Sequence, residues 1–521
     1  MQDLKRFLYR CIGIFFLAGW AVSGYAQQPV IQWSSPDSQD GSFGSSIDSY
    51  GSYAIVGAPK ADGNASTSGA AYIYRLDNLS STPVQTLTAS DGATDDHFGG
   101  SVAITDKYAF VGAYGADYAD STDLGKVYVY KLNNGSWVSA QVITVPDTLS
   151  AHMQFGYAIA ADTGKVLIGA PGTDDYSGVK EIGFTFLYDL KGGKWEYMDN
   201  FYRSMPAGHE HYGYDVDIHD TTAVVGMKFY TSHISFPAGI DEAHVFNKSS
   251  KWGNWIHDTS LWEENSTYND KYATAVSVFG NHVLVGAYED EYTGDDIKGY
   301  GVVHVYRQSP DGWVREDSLR PPNRESFEKF GISVDLDNNT AAVGASYDGT
   351  AGAAFVYKNV DGTWSMSKRI PNPDPPASQD DSGQFGNVVK LNGSYLLASS
   401  YLYHNNTNTS EGSVYVFKDN QFVTAVDKEK MDLPSKITLD PAYPNPFNPS
   451  TTLRYALPRA SSVRVEVYNT IGRKVETLID KRQVAGKHQI RWEADELAGG
   501  LYFIRIQTPQ QQLTQKVTLI K

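Results

Sequence analysis

One phrase occurs seven times in this chain and limits what it can fold into more than any other feature. An aromatic residue followed by a small one stands at Phe43-Gly44, Phe98-Gly99, Phe155-Gly156, Tyr212-Gly213, Tyr272-Ala273, Phe330-Gly331 and Phe385-Gly386, at steps of 55, 57, 57, 60, 58 and 55 residues. A second part follows each: Val56-Gly57-Ala58, Val111-Gly112-Ala113, Ile168-Gly169-Ala170, Val225-Gly226-Met227, Val285-Gly286-Ala287 and Val343-Gly344-Ala345, with the last copy read as Leu397-Ala398-Ser399. A repeat of this length is one supersecondary unit, too small to bury its own apolar faces, and copies must stack.

Each unit reads as four strands. In the second copy they are Ser101–Thr105, Tyr108–Ala113, Lys126–Tyr130 and Trp137–Thr144, joined through Asp106-Lys107, a longer loop and Asn133-Asn134-Gly135. Asn-Gly and Asp-containing turns between β-branched runs are hairpin signals. The first strands show little polar alternation, as strands covered on both faces do. Seven such sheets over residues 27–426 predict an all-β, seven-bladed β-propeller. Aromatics at 13% of the chain and 48 glycines fit strands and tight turns. Ring closure falls to either Gln421–Val426 or the strand around Ile31-Gln32-Trp33; the N-terminal strand is the favoured choice, because Ile31–Asp37 resembles Val142–Asp147.

The ends differ from the ring. Lys5, Arg6 and Arg10 precede the apolar run Ile12–Val22, and Gly24-Tyr25-Ala26 forms a small-x-small site, so residues 1–26 read as a secretory signal peptide. The sole cysteine, Cys11, lies in that leader, and no segment expected in the mature chain is long and apolar enough to span a membrane. Residues 427–440 read as a charged linker. The small domain 441–521 reads as six strands: Thr451–Leu457, Ser462–Tyr468, Lys474–Ile479, His488–Glu493, Gly500–Gln507 and Leu513–Lys521. Short strands between turns predict a small immunoglobulin-like β-sandwich. Residues 434–521 hold 13 Lys and Arg against 7 Asp and Glu, whereas 27–433 hold 27 against 52. A surface that acidic repels phosphate backbones, so the repeats predict no nucleic-acid partner.

The aromatic-Gly to Val-Gly-Ala-Pro wording, complete at Phe43 to Pro59 and Phe155 to Pro171, resembles the FG-GAP repeat family, which includes the propeller of integrin α-subunits. The resemblance implies a propeller and extracellular ligand or matrix binding. The family's calcium loop is missing: the hairpins between first and second strands are short, and Asp335-Leu336-Asp337-Asn338-Asn339 is too brief for a cage of six to eight oxygens, leaving Asp337 as a turn former. At the other end, Tyr443-Pro444-Asn445-Pro446-Phe447-Asn448-Pro449, then Gly472, then Gly500-Leu501-Tyr502 and finally Lys521 resemble the C-terminal sorting domain of type IX secretion cargo. That implies a Bacteroidetes-type Gram-negative host, a translocon partner, and a sortase that removes the tail and anchors the cargo at the cell surface.

Chemistry is expected on the loops between second and third strands, which are long, variable and rich in Tyr and acid. Tyr114, Asp117, Tyr118, Tyr176, Tyr288, Asp290, Tyr292, Tyr347 and Tyr401 are the candidate ligand-binding residues, since aromatic faces beside carboxylates suit a sugar or a protein partner. The plainer alternative is a hydrated acidic rim. Glu289, Asp290, Glu291, Asp295 and Asp296 are the candidates for Ca2+, although no cofactor is required, and His209-Glu210-His211 is a weaker candidate for zinc or copper. Gly-x-Ser-x-Gly, His-Glu-x-x-His and P-loop motifs are absent. The expected function is a secreted or surface-displayed non-enzymatic binding or adhesion protein; the alternative is an exported carbohydrate-active hydrolase or lyase using the same loop face.

Overall fold

The computed structural model describes residues 27–36, 42–118, 121–146, 151–174, 179–203, 208–229, 241–249, 253–263, 271–289, 292–293, 296–297, 300–322, 329–349, 351–375, 383–402, 412–419, 422, 437–457, 461–483, 486–494, 497–508 and 511–521. The chain divides into two compact units, Met1–Asp419 and Asn420–Lys521. Among the described residues there is no helix, and so none that could cross a membrane.

The first unit holds seven antiparallel four-stranded sheets among its described residues. Their inner strands are Ser46–Tyr50, Phe98–Ile104, Ile159–Asp162, Tyr212–His219, Tyr272–Phe279, Phe330–Asp337 and Gly383–Asn392. Each inner strand packs on the next, and the seventh packs on the first, so the ring is closed. This is the expected seven-bladed β-propeller. The seventh blade is completed by Ile31–Ser34, which pairs antiparallel with Ser413–Lys418 through Ile31 opposite Val416 and Trp33 opposite Val414. Backbone pairing of the first and last strands of this unit inside one sheet fastens the ring, as the N-terminal choice anticipated.

The repeated phrase forms the seams between blades. A Cβ on Gly57, Gly112, Gly169, Gly226, Gly286 or Gly344 would overlap the carbonyl oxygen of Gly99, Gly156, Gly213, Ala273, Gly331 or Gly386, respectively, in the following blade. Glycine is needed there for close backbone approach. The last copy is read one residue out of register in the sequence: Phe385 pairs with Ser400 as Phe98 pairs with Ala113, so Ser399, not Ala398, takes the glycine's place. The inner strand of the second blade also begins at Phe98 rather than Ser101, because a register shift between Phe98 and Ser101 carries the phrase into the strand.

A second repeated device lies at the periphery. Trp137, Trp195, Trp255, Trp313 and Trp364 each stand at or next to the start of an outer strand. The Gln85 side-chain amide donates to the Trp137 carbonyl (2.6 Å) and accepts from its N–H (2.8 Å), and Gln141 does the same for Trp195 at 2.9 Å each way. In later blades the latch becomes an acid: Trp313 Nε1 donates to Asp258 and Trp364 Nε1 to Glu316.

In the second unit, Thr438–Leu439, Ser450–Leu457 and Gly486–Glu493 form one sheet, and Lys474–Gln483, Ser461–Asn469, Gly500–Gln507 and Gln512–Leu519 form another, in those spatial orders. Their side chains share one core around Phe447, Tyr455, Trp492, Ile504 and Val517. The domain starts earlier than expected: Thr438 and Leu439 pair with Ala456 and Tyr455, and Ile437 is buried, so the end of the expected linker is already part of the sheet. Its residues 427–436, like the expected leader 1–26, lie outside the described residues.

Candidate functional site

The propeller's distinctive chemistry collects where the inner strands begin. The second residue after the blade-opening aromatic is Tyr157 in blade three and Tyr214 in blade four, and it is Gly100 in blade two. Tyr114, two residues after the Val-Gly-Ala glycine, lies over Gly100, where any Cβ would overlap its ring. The three tyrosines make a continuous arc across three blades, with ring centroids 5.4 Å apart for Tyr114–Tyr157 and 5.2 Å for Tyr157–Tyr214. His97 stacks on the far side of Tyr114 at 4.9 Å. At the other end, Lys228 lies 4.4 Å over Tyr214 and donates to its hydroxyl at 3.0 Å. All three tyrosines are half-buried, so each keeps part of its surface open to solvent.

Blades five to seven carry a second group: Tyr288 matches Tyr114 in position, and Tyr347 lies one residue further along its blade. Lys329 Nζ lies 4.4 Å over the Tyr347 ring and 6.0 Å from that of Tyr288, and Gln384 donates to the Tyr347 hydroxyl at 3.0 Å. Lys329, His97 and His211 share one position, immediately before the blade's aromatic, and all three adopt positive φ. Burial pushes the His211 imidazole below its ordinary pKa, against the opposing pull of Glu181.

Further along the inner strands, around the axis, sits an ionic cluster. The fifth residue after the aromatic is Asp48, Asp217, Asp335 and Lys390 in blades one, four, six and seven. Lys390 Nζ reaches Asp335 at 2.9 Å and Asp48 at 3.3 Å. The carboxylates also bridge seams: Asp48 accepts from Ile104 N–H, Asp215 from Val276, Asp217 from Val278 and Asp335 from Leu391, each at 2.7–2.8 Å. Burial raises Asp215 to about 7, with the Val276 amide opposing, and Asp335 to about 6, with Lys390 opposing. Lys390 is held well above its ordinary value, because Asp335 and Asp48 outweigh its desolvation.

The loop candidates meet different fates. Tyr114, Tyr288 and Tyr347 belong to the two aromatic groups, whereas Tyr118 is an exposed loop residue. Asp117 Oδ1 accepts the Asp123 N–H within its own loop, as Asp62 does for Thr67 and Asp174 for Glu181. Tyr401 occupies the strand position matching Tyr114, and Tyr292 and Asp296 lie in the short pairs Tyr292–Thr293 and Asp296–Ile297; the side chains of these three are outside the described residues. Tyr176, Asp290, Glu291 and Asp295 lie wholly outside them, and Glu289 is exposed. His209 and His211 turn to Glu181, at 2.7 and 3.5 Å, while Glu210 is buried against Arg203. Among the described residues no group of three His, Cys, Asp or Glu is arranged to hold a metal ion. The Asp335–Asp337 run is inner strand: Asp337 accepts from Gly393 N–H across the seam at 3.0 Å.

In the tail domain the proline-rich motif is clasped to the last strand. Asn445 Oδ1 accepts from Thr518 N–H at 2.9 Å, and its amide donates to Lys516 O. Phe447 pairs with the same strand through Thr518 O and Ile520 N, and its ring lies 5.1 Å from Trp492. Tyr502 donates to Ala498 O at 2.7 Å, and Gly472 supplies a positive φ in a turn.

The architecture defines a class: a seven-bladed propeller followed by a separate two-sheet domain. Within that class, the FG-GAP repeat model matches residues 35–74, 82–130 and 313–357, and the secretion system C-terminal sorting domain model matches 441–521. The chain therefore carries FG-GAP repeats and a type IX sorting tail, and it is secreted or displayed at the surface of a Bacteroidetes-type bacterium. No curated protein matches it. Among solved structures it is similar to Sqt1 of Saccharomyces cerevisiae (11% identity, 82% of this chain and 96% of that one, TM-score 0.36). It is also similar to PorZ, a surface component of the type IX secretion system of Porphyromonas gingivalis (11%, 91% and 75%, 0.19), and to the polysaccharide lyase Uly1 (10%, 75% and 99%, 0.43). Overlays this loose say nothing about what the propeller binds.

Proposed function

We propose that the exported propeller is a non-catalytic module that binds an extracellular glycan where its inner strands begin. The observation that carries this reading is the unbroken arc of Tyr114, Tyr157 and Tyr214, half-exposed on three successive blades. Aromatic faces with polar tips offer sugars an apolar platform and hydrogen bonds together. A rigid ring holds the rings in place before binding, which reduces the ordering cost.

The test is calorimetric titration of the mature protein against a glycan panel, with Tyr157→Ala and Tyr214→Ala beside wild type. Binding that weakens at least about ten-fold in each variant supports the reading, with folding checked by circular dichroism. Undiminished binding in the doubly substituted protein overturns it. Release of new reducing ends or unsaturated sugars during incubation would instead establish the hydrolase or lyase alternative. Binding is expected to persist in EDTA, since the arc includes no metal ligand set.

The tail's role is to deliver this module, with a sortase then removing it within residues 427–436. Deleting 434–521 is expected to leave a folded propeller in the periplasm, because each unit has its own core. Surface export of the truncated chain would rule this out, and intact full-length protein at the cell surface would rule out removal of the tail.

A further inference from the structure

We infer that the tail is recognised through the open face of its four-stranded sheet, by an acidic surface on a protein of the export machinery; this rests on the reading of the tail as the export signal. Side chains alternate along these strands. Tyr502, Ile504 and Ile506 point into the core shared with the other sheet, whereas Leu501, Phe503 and Arg505 point away from it. Register carries that outer face across the neighbouring strands. Tyr468 stands opposite Phe503 and Glu466 opposite Arg505 on one side, and Lys516 stands opposite Phe503 on the other. Leu501, Phe503 and Tyr468 are half-buried, yet none belongs to the core cluster that the two sheets share. Aromatic rings and an arginine on a sheet face turned away from the core are the residue types enriched at protein interfaces.

Charge on this face is unbalanced. Its two acids are already engaged: Asp480 with Arg464 at 2.9 Å, and Glu466 with Lys474 at 3.1 Å and the Tyr468 hydroxyl at 2.6 Å. Arg505 and Lys516 form no ion pair among the described residues. Arg505 lies 4.3 Å over the Tyr468 ring, and its Nε makes no hydrogen bond among those residues. A ring face orients a guanidinium without neutralising it, so the fork remains for a carboxylate. The unit's other described acids lie elsewhere. Glu476 accepts from Trp492 Nε1 at 2.9 Å, Glu493 pairs with Arg491 on the other sheet, and Asp440 follows Leu439 at the end of that sheet. Asp495 and Glu496 are outside the described residues. Two uncommitted cations therefore stand beside Phe503, in a segment, 434–521, with 13 Lys and Arg against 7 Asp and Glu. The mixture fits a protein better than an anionic membrane. A lipid surface responds to net positive charge and to apolar side chains that insert. Here the engaged acids lie among the cations, a pattern of both signs that a shaped, carboxylate-bearing surface can match.

The experiment follows the full chain in the bacterium that exports it, comparing wild type with a charge reversal (Arg505→Glu plus Lys516→Glu), a neutral pair (Arg505→Gln plus Lys516→Gln), Lys516→Arg and the 434–521 deletion. Surface protein is measured by protease shaving of intact cells, and retained protein by periplasmic fractionation. Charge reversal is expected to lower surface display about ten-fold or more, with the protein held in the periplasm, and the neutral pair to lower it less. Lys516→Arg is expected to display as wild type. Purified variants should melt as wild type does, because neither side chain enters the core. Normal display of the charge reversal beside a blocked deletion overturns the inference and leaves the tail reading standing; export of the deletion counts against both. A charge reversal that melts early, beside a neutral pair that melts and displays as wild type, also overturns it. Purified full-length protein is then incubated with phosphatidylethanolamine vesicles, with and without phosphatidylglycerol, and sedimented alone. Binding to the anionic vesicles, or self-association, that the charge reversal abolishes would replace the protein partner with a membrane or a second copy of this chain.

Discussion

The Tyr114 ring occupies the space above Gly100, where a Cβ would meet its Cε1 and Cδ1, so the one missing side chain in the second blade's opening is replaced by a ring from just past the neighbouring strand. Blades three and four supply their own tyrosine there. Gly100→Ala is therefore expected to push Tyr114 out of the arc while the backbone, which lacks a positive φ at this residue, accepts the change. Glycan affinity should fall several-fold with little change in melting temperature. Titration beside differential scanning calorimetry checks both, and full affinity in the variant would show that the ring's position is immaterial.

Lys390 is the cation that Asp48 and Asp335 share. Lys390→Met leaves two carboxylates near one another without it; because the Lys390 side chain is 28% exposed, the cost falls below that of a fully buried pair, at about 1–3 kcal/mol. The lysine's folded pKa lies above its ordinary value, so its contribution is present at neutral and acid pH and is lost only on strong alkalinisation. The stranded carboxylates, in contrast, protonate on acidification. Denaturant unfolding should show a larger deficit at pH 8 than at pH 5; equal deficits would contradict the electrostatic account.

Asp215 titrates at about 7 in the folded protein, raised mainly by burial. Unfolded, it would titrate near about 3.9. Between those values the folded chain holds a proton that the unfolded chain has released, so stability from this group falls as pH rises through that window. Asp215→Asn keeps an acceptor for Val276 N–H and removes the charge. The variant should match wild type near pH 4 and exceed it at pH 8, on the order of 1–2 kcal/mol after allowance for solvent at the axis. A variant less stable at pH 8 would refute this.

Ala273 replaces the second residue of the repeated phrase in blade five and is held at φ 58. A residue with a Cβ pays about 1–2 kcal/mol there, offset in part by glycine's greater freedom when unfolded. Ala273→Gly is expected to raise stability by about 0.5–1 kcal/mol, measured by chemical denaturation. A decrease would mean that the methyl group's packing outweighs the strain.

Much of this architecture was legible because a repeat exposes itself by recurrence. The seven aromatic-small pairs and the Val-Gly-Ala glycines gave blade number and strand order. The register of the last copy was not legible: without its glycine nothing marked Ser399, and only pairing with Phe385 and its neighbours placed it. The outer-strand tryptophans recur in five blades, a second period that the sequence also carries. Tyr157 and Tyr214 were hidden for a different reason. They lie within the repeated segment itself, directly after its aromatic-small pair, and in two blades of seven. Asp117 shows the converse, a loop acid that answers a backbone amide of its own loop.

By itself the sequence determined the seven units, their four strands and the separate tail, because these follow from local periodicity, turn chemistry and motif order. The tertiary structure decided what meets what. Ring closure brings Lys390 in the seventh blade against Asp48 in the first, more than 300 residues away, and sets the tilted rings of Tyr114, Tyr157 and Tyr214 side by side from three different units. No local pattern carries such information, because it arises only when identical seams close a circle and bring matching positions of successive blades side by side.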